Sequence, residues 1–96
     1  MAKVTRRGVL LAESDKAIEL EGNLYFPPAS VVRERLADSD QTTLCPWKGV
    51  ASYYDIELNG ETLPAAAWYY PRPNEAAAEI KDHVAFYNCC EIKITP

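Results

Sequence analysis

The chain has 96 residues, 48% hydrophobic and 25% charged, with ten Lys and Arg against fourteen Asp and Glu for a formal charge of −4. That length supports one domain, residues 1–96, with a core that is adequate and not generous. No basic cluster exceeds Arg6-Arg7 and no apolar run is long enough to span a bilayer, so neither a nucleic-acid partner held through its phosphates nor a membrane partner is expected.

The N-terminal segment from Met1 to Glu13 carries only a short apolar patch at Gly8–Ala12, too short for a signal-peptide core. The three cysteines, Cys45, Cys89 and Cys90, are odd in number and lack paired spacing. That pattern argues against a disulfide framework and for a reduced, cytoplasmic setting. A strand is predicted through Val9–Ala12, a turn at Glu13-Ser14-Asp15-Lys16 and a second strand over Ala17–Glu21, in which Ile18 and Leu20 share a face. These two strands are expected to pair as a first hairpin. Gly22-Asn23 breaks the second one, and Leu24-Tyr25-Phe26 runs extended into Pro27-Pro28, which bars a helix at Phe26. Ser30 suits the N-cap of a short helix over Val31–Leu36, and the polar stretch Ala37–Thr43 reads as a loop.

The middle of the chain reads as a long hairpin. One arm runs from Thr43 to Tyr54 and beyond, the other through Trp68-Tyr69-Tyr70, and Asn59-Gly60 is the turn, since a two-residue type I′ turn needs positive φ at both positions. Register then pairs Leu58 with Glu61, Ile56 with Leu63, Tyr54 with Ala65, Ser52 with Ala67 and Val50 with Tyr69 on a mostly aliphatic face. The opposite face gathers Trp47, Tyr53, Trp68 and Tyr70, with Gly49, Ala51 and Ala66 among them. Pro64 warns of an edge or a bulge, and a one-residue bulge there would exchange the two faces beyond it. Pro71-Arg72-Pro73 ends the arm, Asn74 is expected to cap a helix over Glu75–His83, and Val84–Ile94 alternates as a last strand. Strands outnumber helices, so the class is mainly β with two short helices.

Four blocks carry a family resemblance: Glu21-Gly22-Asn23-Leu24-Tyr25-Phe26-Pro27-Pro28; Thr43-Leu44-Cys45-Pro46-Trp47-Lys48-Gly49-Val50-Ala51-Ser52-Tyr53-Tyr54; Ala66-Ala67-Trp68-Tyr69-Tyr70-Pro71-Arg72-Pro73; and Val84-Ala85-Phe86-Tyr87. Together, in this order, they resemble the family known as domain of unknown function 427. The resemblance implies a small domain of coiled antiparallel sheets, similar to the β-tent architecture of methionine sulfoxide reductase B and of the ligand-binding domain of cereblon. A nucleotidyltransferase label is sometimes attached to this family; the chain has neither a Gly-rich phosphate loop nor a paired acidic metal site to support it.

The candidate site residues follow from the aromatic face. Trp47, Tyr53, Trp68 and Tyr70 are either core packing between sheets or, with small residues between them, the walls of a ligand cleft. Tyr25 joins them as a ligand-binding candidate, and Glu21 and Lys48 are a candidate polar pair that would orient an anionic or planar small molecule. The plainer alternative for that pair is a solvated Glu and a snorkelling Lys. Cys45 is the candidate nucleophile, since a nearby lysine favours the thiolate, although a buried structural cysteine is the commoner fate. No Cys-x-x-Cys knuckle is present, and adjacent Cys89 and Cys90 on a strand would point to opposite faces, so neither structural zinc nor any cofactor is expected. The first functional reading is therefore a small-molecule-binding domain. An enzyme using Cys45 or Glu21, and a protein-interaction module without pocket chemistry, are the alternatives.

Overall fold

The computed structural model describes residues 1–96. Three antiparallel sheets, with short 3-10 turns in place of α-helices, make the fold mainly β. Strands β1 (Ala2–Arg6) and β2 (Val9–Ser14) form a hairpin, and β9 (Ile92–Thr95) pairs along the other side of β1. Strands β3 (Ile18–Leu20) and β4 (Asn23–Tyr25) make a small ribbon. The largest sheet is a four-stranded meander of β5 (Leu36–Cys45), β6 (Gly49–Leu58), β7 (Glu61–Tyr69) and β8 (Val84–Phe86), in that order. Reciprocal backbone bonds of 2.8 Å between Phe26 and Val84 tie the ribbon to β8. No helix is long and apolar enough to cross a membrane.

The first hairpin differs from the expectation. Val9–Ala12 does not pair with Ala17–Glu21; it pairs with β1 around Arg7-Gly8, while β3 folds back on β4 around Glu21-Gly22. All three tight hairpin turns use the same device, a residue at φ 51 to 53 followed by a glycine at φ 79 or 80: Arg7-Gly8, Glu21-Gly22 and Asn59-Gly60. The left-handed region is open to glycine at little cost, and a glycine in the second position is what the three turns share.

The helices are also shorter than expected. In place of a helix over Val31–Leu36 there are 3-10 turns at Pro28–Ser30 and Arg33–Arg35, and Leu36 already opens β5. Ala37–Thr43 is strand and not loop; it is polar because β5 is the edge of its sheet, where exposed polar residues discourage further pairing. The helix expected over Glu75–His83 is a 3-10 segment, Glu75–Ile80, interrupted at Ala77. The expected last strand is broken between β8 and β9 by a turn with positive φ at Cys90 and Glu91.

From the Asn59-Gly60 turn the register runs as predicted through Leu58–Glu61, Glu57–Thr62 and Ile56–Leu63. It then slips: Tyr54 pairs with Ala67, Tyr53 with Trp68 and Ser52 with Tyr69, so the pairings predicted beyond Leu63 are not formed. Pro64, Ala65 and Ala66 together stand opposite Asp55 alone. Pro64 has no N–H to give to a ladder, Ala65 adopts φ 50, and Asp55 Oδ1 closes the bulge by accepting the Ala65 N–H at 2.8 Å. Because the slip is even-numbered, side-chain faces are preserved beyond the bulge, and Tyr53 and Trp68 still share one; within it they exchange, with Ala65 packing on the Tyr53 side and Ala66, expected among the aromatics, entering the cluster of Tyr54.

That preserved alternation places two cores on β6. Ala51 and Tyr53 enter one cluster with Tyr25, Tyr70, Ala77, Ile80 and Ala85. Tyr54 and Ile56 enter the other, with Val4, Leu11, Phe26, Val84, Phe86 and Ile92 among its members. Around Gly60 nothing lies within 4 Å of where a Cβ would stand, so the cost of a side chain there is purely a backbone cost. Gly60→Val should therefore lower stability by about 1–2 kcal/mol, the penalty for a left-handed β-branched residue. Urea unfolding measures it, and a neutral substitution would show that this turn does not set the register.

Candidate functional site

The Cys45-Pro46-Trp47-Lys48-Gly49 stretch is not part of one continuous arm. Cys45 pairs with Gly49, and Pro46–Lys48 is the tip of the β5–β6 hairpin. Gly49 holds φ 112, a backbone conformation that side chains rarely adopt, so conformation reserves this position for glycine. Asn74, expected to cap a helix, holds the tip instead. Its backbone N–H donates to Lys48 O at 2.8 Å, and its side-chain amide donates to Trp47 O at 3.1 Å and to Pro46 O at 3.4 Å.

So held, the tip presents Lys48 inward. Lys48 is only 7% exposed, with Nζ 5.4 Å from the centre of the Trp47 ring and 5.6 Å from that of Tyr70. A buried ammonium needs a counter-charge or a desolvation cost of several kcal/mol remains. Glu21, on the Glu21-Gly22 turn of the ribbon, supplies it: one carboxylate oxygen accepts from Lys48 Nζ and the other from Trp47 Nε1 at 3.2 Å. The Glu21 side chain itself remains 48% exposed.

Behind this pair stands the aromatic cluster. Tyr25 is fully buried, its hydroxyl accepting from Trp68 Nε1 at 3.2 Å, with the two rings edge to face at 6.3 Å and Tyr70 tilted against it at 6.5 Å. Tyr53 bonds Thr43 Oγ1 through its hydroxyl at 2.9 Å, and Cys45 packs half-buried on the same cluster. The structure thus gathers Glu21, Tyr25, Cys45, Trp47, Lys48, Tyr53, Trp68 and Tyr70 in one neighbourhood. Tyr25, Tyr53 and Tyr70 lie in its interior; Trp47, 39% exposed, and Glu21 lie at its surface, with Trp68 between. Sequence reasoning missed Thr43, Asn74 and Tyr87. Tyr87, 42% exposed, rests on Trp68 at 4.7 Å because Ala85 pairs with Trp68, a contact between β7 and β8 that no local pattern announces.

The electrostatics are those of a closed pair. The hydrogen bond from Lys48 holds the Glu21 carboxyl below the ordinary Glu range, against the opposing effect of desolvation. Burial by itself would depress Lys48, but the bond to Glu21 and the fields of Tyr25 and Tyr70 outweigh it and leave the ammonium raised. Burial raises Tyr70 and Tyr87, so both phenols keep their protons at neutral pH; for Tyr70 the Lys48 charge opposes the shift, and for Tyr87 a bond to Tyr53 adds to it.

A second aromatic group lies on the other core. Tyr54 and Tyr69 stack at 4.5 Å, the Arg33 guanidinium sits 4.7 Å over Tyr54, and with Asp82 and Val84 they line a cleft of about 270 Å³. None of the five main surface concavities is lined by Glu21, Trp47, Lys48 or Trp68. No three His, Cys, Asp or Glu side chains converge as a metal-ligand set.

Fold and site together define a small mainly-β domain whose hairpin tip carries a buried lysine under a carboxylate. The chain belongs to the family described as Domain of unknown function (DUF427), whose model matches residues 1–94. No curated protein matches the sequence.

The Glu21–Lys48 pair predicts a pH window. The depressed Glu21 contributes stability above the unfolded carboxylate pKa of about 4.3 and loses it as pH falls through the lower folded value. The raised Lys48 contributes below the unfolded value of about 10.4 and loses it as pH rises through the higher folded one. Carbon NMR should show Glu21 titrating below the ordinary Glu value, and Lys48→Met should return it toward that value. An unchanged Glu21 titration in that variant would remove the pair as the cause.

Proposed function

We propose that this domain binds a small planar molecule bearing an anionic group, at the surface formed by Trp47, Lys48 and Glu21. The observation that carries the reading is the Lys48 ammonium, buried between two aromatic rings with a half-exposed carboxylate as its single ionic partner. A carboxylate in that position is a built-in stand-in for a ligand's anion. Glu21 sits on a two-residue turn at the surface, so an incoming anion replaces or joins it without disturbing either core. The exposed part of the Trp47 indole offers a flat surface for the ligand body, and charge-assisted bonds to Nζ supply orientation. The tip is held in advance by the hydrogen bonds of Asn74, which reduces the ordering cost of binding. The setting proposed is the cytoplasm, supported by three unpaired cysteines.

A second reading rests on the cleft of Arg33, Tyr54, Tyr69 and Asp82, which offers a concavity and a guanidinium to the same class of ligand. The two are separated by titrating benzoate, nicotinate and indole carboxylate while following thermal midpoint and tryptophan emission. At least one should give saturable stabilisation, about 2.7 kcal/mol at a hundredfold excess over Kd. Lys48→Met should abolish it with the free protein's midpoint nearly unchanged, Trp47→Ala should weaken it, and Arg33→Met should leave it intact. Loss in Arg33→Met alone moves the site to the second cleft. No binding by any of the three turns the reading to a protein-interaction module.

A further inference from the structure

We propose that Cys89 and Cys90 are a redox site of their own: a pair of adjacent thiols that exchanges with small-molecule disulfides and closes into a vicinal disulfide. The inference is independent of the ligand reading above. On an extended strand neighbouring side chains point to opposite faces, and the two sulfurs could not meet. Here residues 88–91 leave the strand path. Cys90 at φ 57 and Glu91 at φ 69 turn the chain so that Cys89 Sγ and Cys90 Sγ lie 2.7 Å apart, both exposed.

The turn is anchored on both sides. Ile92 N–H donates to Cys89 O at 2.8 Å, and the side chain of Arg6, only 4% exposed, donates through Nε to Cys90 O at 3.0 Å. Arg7 bridges from the β1–β2 turn to Glu91 at 2.7 Å. Thiols held in contact by a fixed backbone react with each other as an intramolecular pair, with little entropy left to lose. Cys45, the remaining cysteine, is half-buried against the aromatic cluster, so exchange is confined to the exposed pair.

The chemistry balances with a dialkyl disulfide as oxidant. One cysteine, as thiolate, attacks a sulfur of the small disulfide; that S–S bond breaks, a mixed disulfide forms, and the first small thiolate leaves and takes a proton from water. The neighbouring cysteine then gives up its own proton, attacks the protein sulfur of the mixed disulfide, forms the Cys89–Cys90 bond and expels the second small thiol. Two protein thiols are oxidised and one small disulfide is reduced to two thiols. Adjacent Cα atoms are about 3.8 Å apart across a trans peptide, below the span of about 4.4–6.8 Å usual for a disulfide, so the closed ring is strained and readily reduced. A bridge of that kind responds to redox conditions and does not serve as a staple. The hydrogen bond to Cys90 raises the Cys89 thiol above its ordinary value, so closure should accelerate as pH rises above neutral.

The test uses the full chain, incubated with oxidised glutathione, quenched in acid, alkylated with iodoacetamide and digested with trypsin. Cleavage after Lys81 and Lys93 isolates residues 82–93 with both cysteines, while Cys45 falls in residues 36–48. The 82–93 peptide should appear lighter by two hydrogens and without alkyl groups, dithiothreitol should restore both alkylation sites, and the Cys45 peptide should be alkylated throughout. Cys90→Ser, an exposed and conservative change, should stop at a glutathione adduct on Cys89. Two glutathione adducts with no ring, a dimer linked through this peptide, or two free thiols under conditions that form the adduct in Cys90→Ser would each overturn the proposal.

Discussion

Strand β6 is buried on both faces, and most of the architecture follows from that constraint. A chain of 96 residues has too little apolar surface for two separate cores, so one strand serves both. Ala51 and Tyr53 face one cluster, Tyr54 and Ile56 the other. The same division recurs wherever the chain passes between the clusters. Tyr25 goes to one side and Phe26 to the other; Ala85 goes to one side, Val84 and Phe86 to the other. Strands used in this way read as continuous apolar runs, and Val84-Ala85-Phe86 is such a run.

The division also decides where polar chemistry can sit. One cluster is mainly aliphatic and phenylalanine-based, with Tyr54 the hydroxyl-bearing ring among its buried members. The other collects Tyr25, Tyr53, Tyr70 and Trp68, whose hydroxyls and indole N–H must find partners once removed from water. The Trp68 N–H finds the Tyr25 hydroxyl, and the Tyr53 hydroxyl finds Thr43. Lys48 is tolerable there because Glu21, distant in sequence, arrives on a turn of the neighbouring ribbon and because Asn74 fixes the tip that carries it. An ion pair with one half-exposed partner contributes little to stability after desolvation and screening. The pair therefore adds little reinforcement to the fold.

Local chemistry announced part of this. Asn59-Gly60 was legible because two consecutive positive-φ residues are a narrow requirement that this dipeptide meets, and the pairing beside it followed. The shared face of Tyr53 and Trp68 was legible because alternation survives an even-numbered slip. The slip itself depended on Asp55 reaching across to the Ala65 N–H, which alternation does not encode. Arg7-Gly8 and Glu21-Gly22 carried a turn signal of the same kind in weaker form, and the more polar Glu13–Lys16 segment drew the first hairpin away from them. Polar Ala37–Thr43 read as loop because an edge strand and a loop meet water in similar ways.

By itself the sequence determined the mainly-β class, the central turn, the family and the residue types that make up the aromatic cluster. These rest on short-range preferences and on side-chain period, which act within a few residues. Only the tertiary structure decided that Glu21 stands on Lys48, that Asn74 braces the hairpin tip, that Tyr87 rests on Trp68 and that the Cys89 and Cys90 sulfurs meet. The first three join segments far apart in the chain, so they depend on which strands become neighbours. The last depends on a left-handed backbone at non-glycine residues, which local preference disfavours and the surrounding contacts of Arg6 and Ile92 impose.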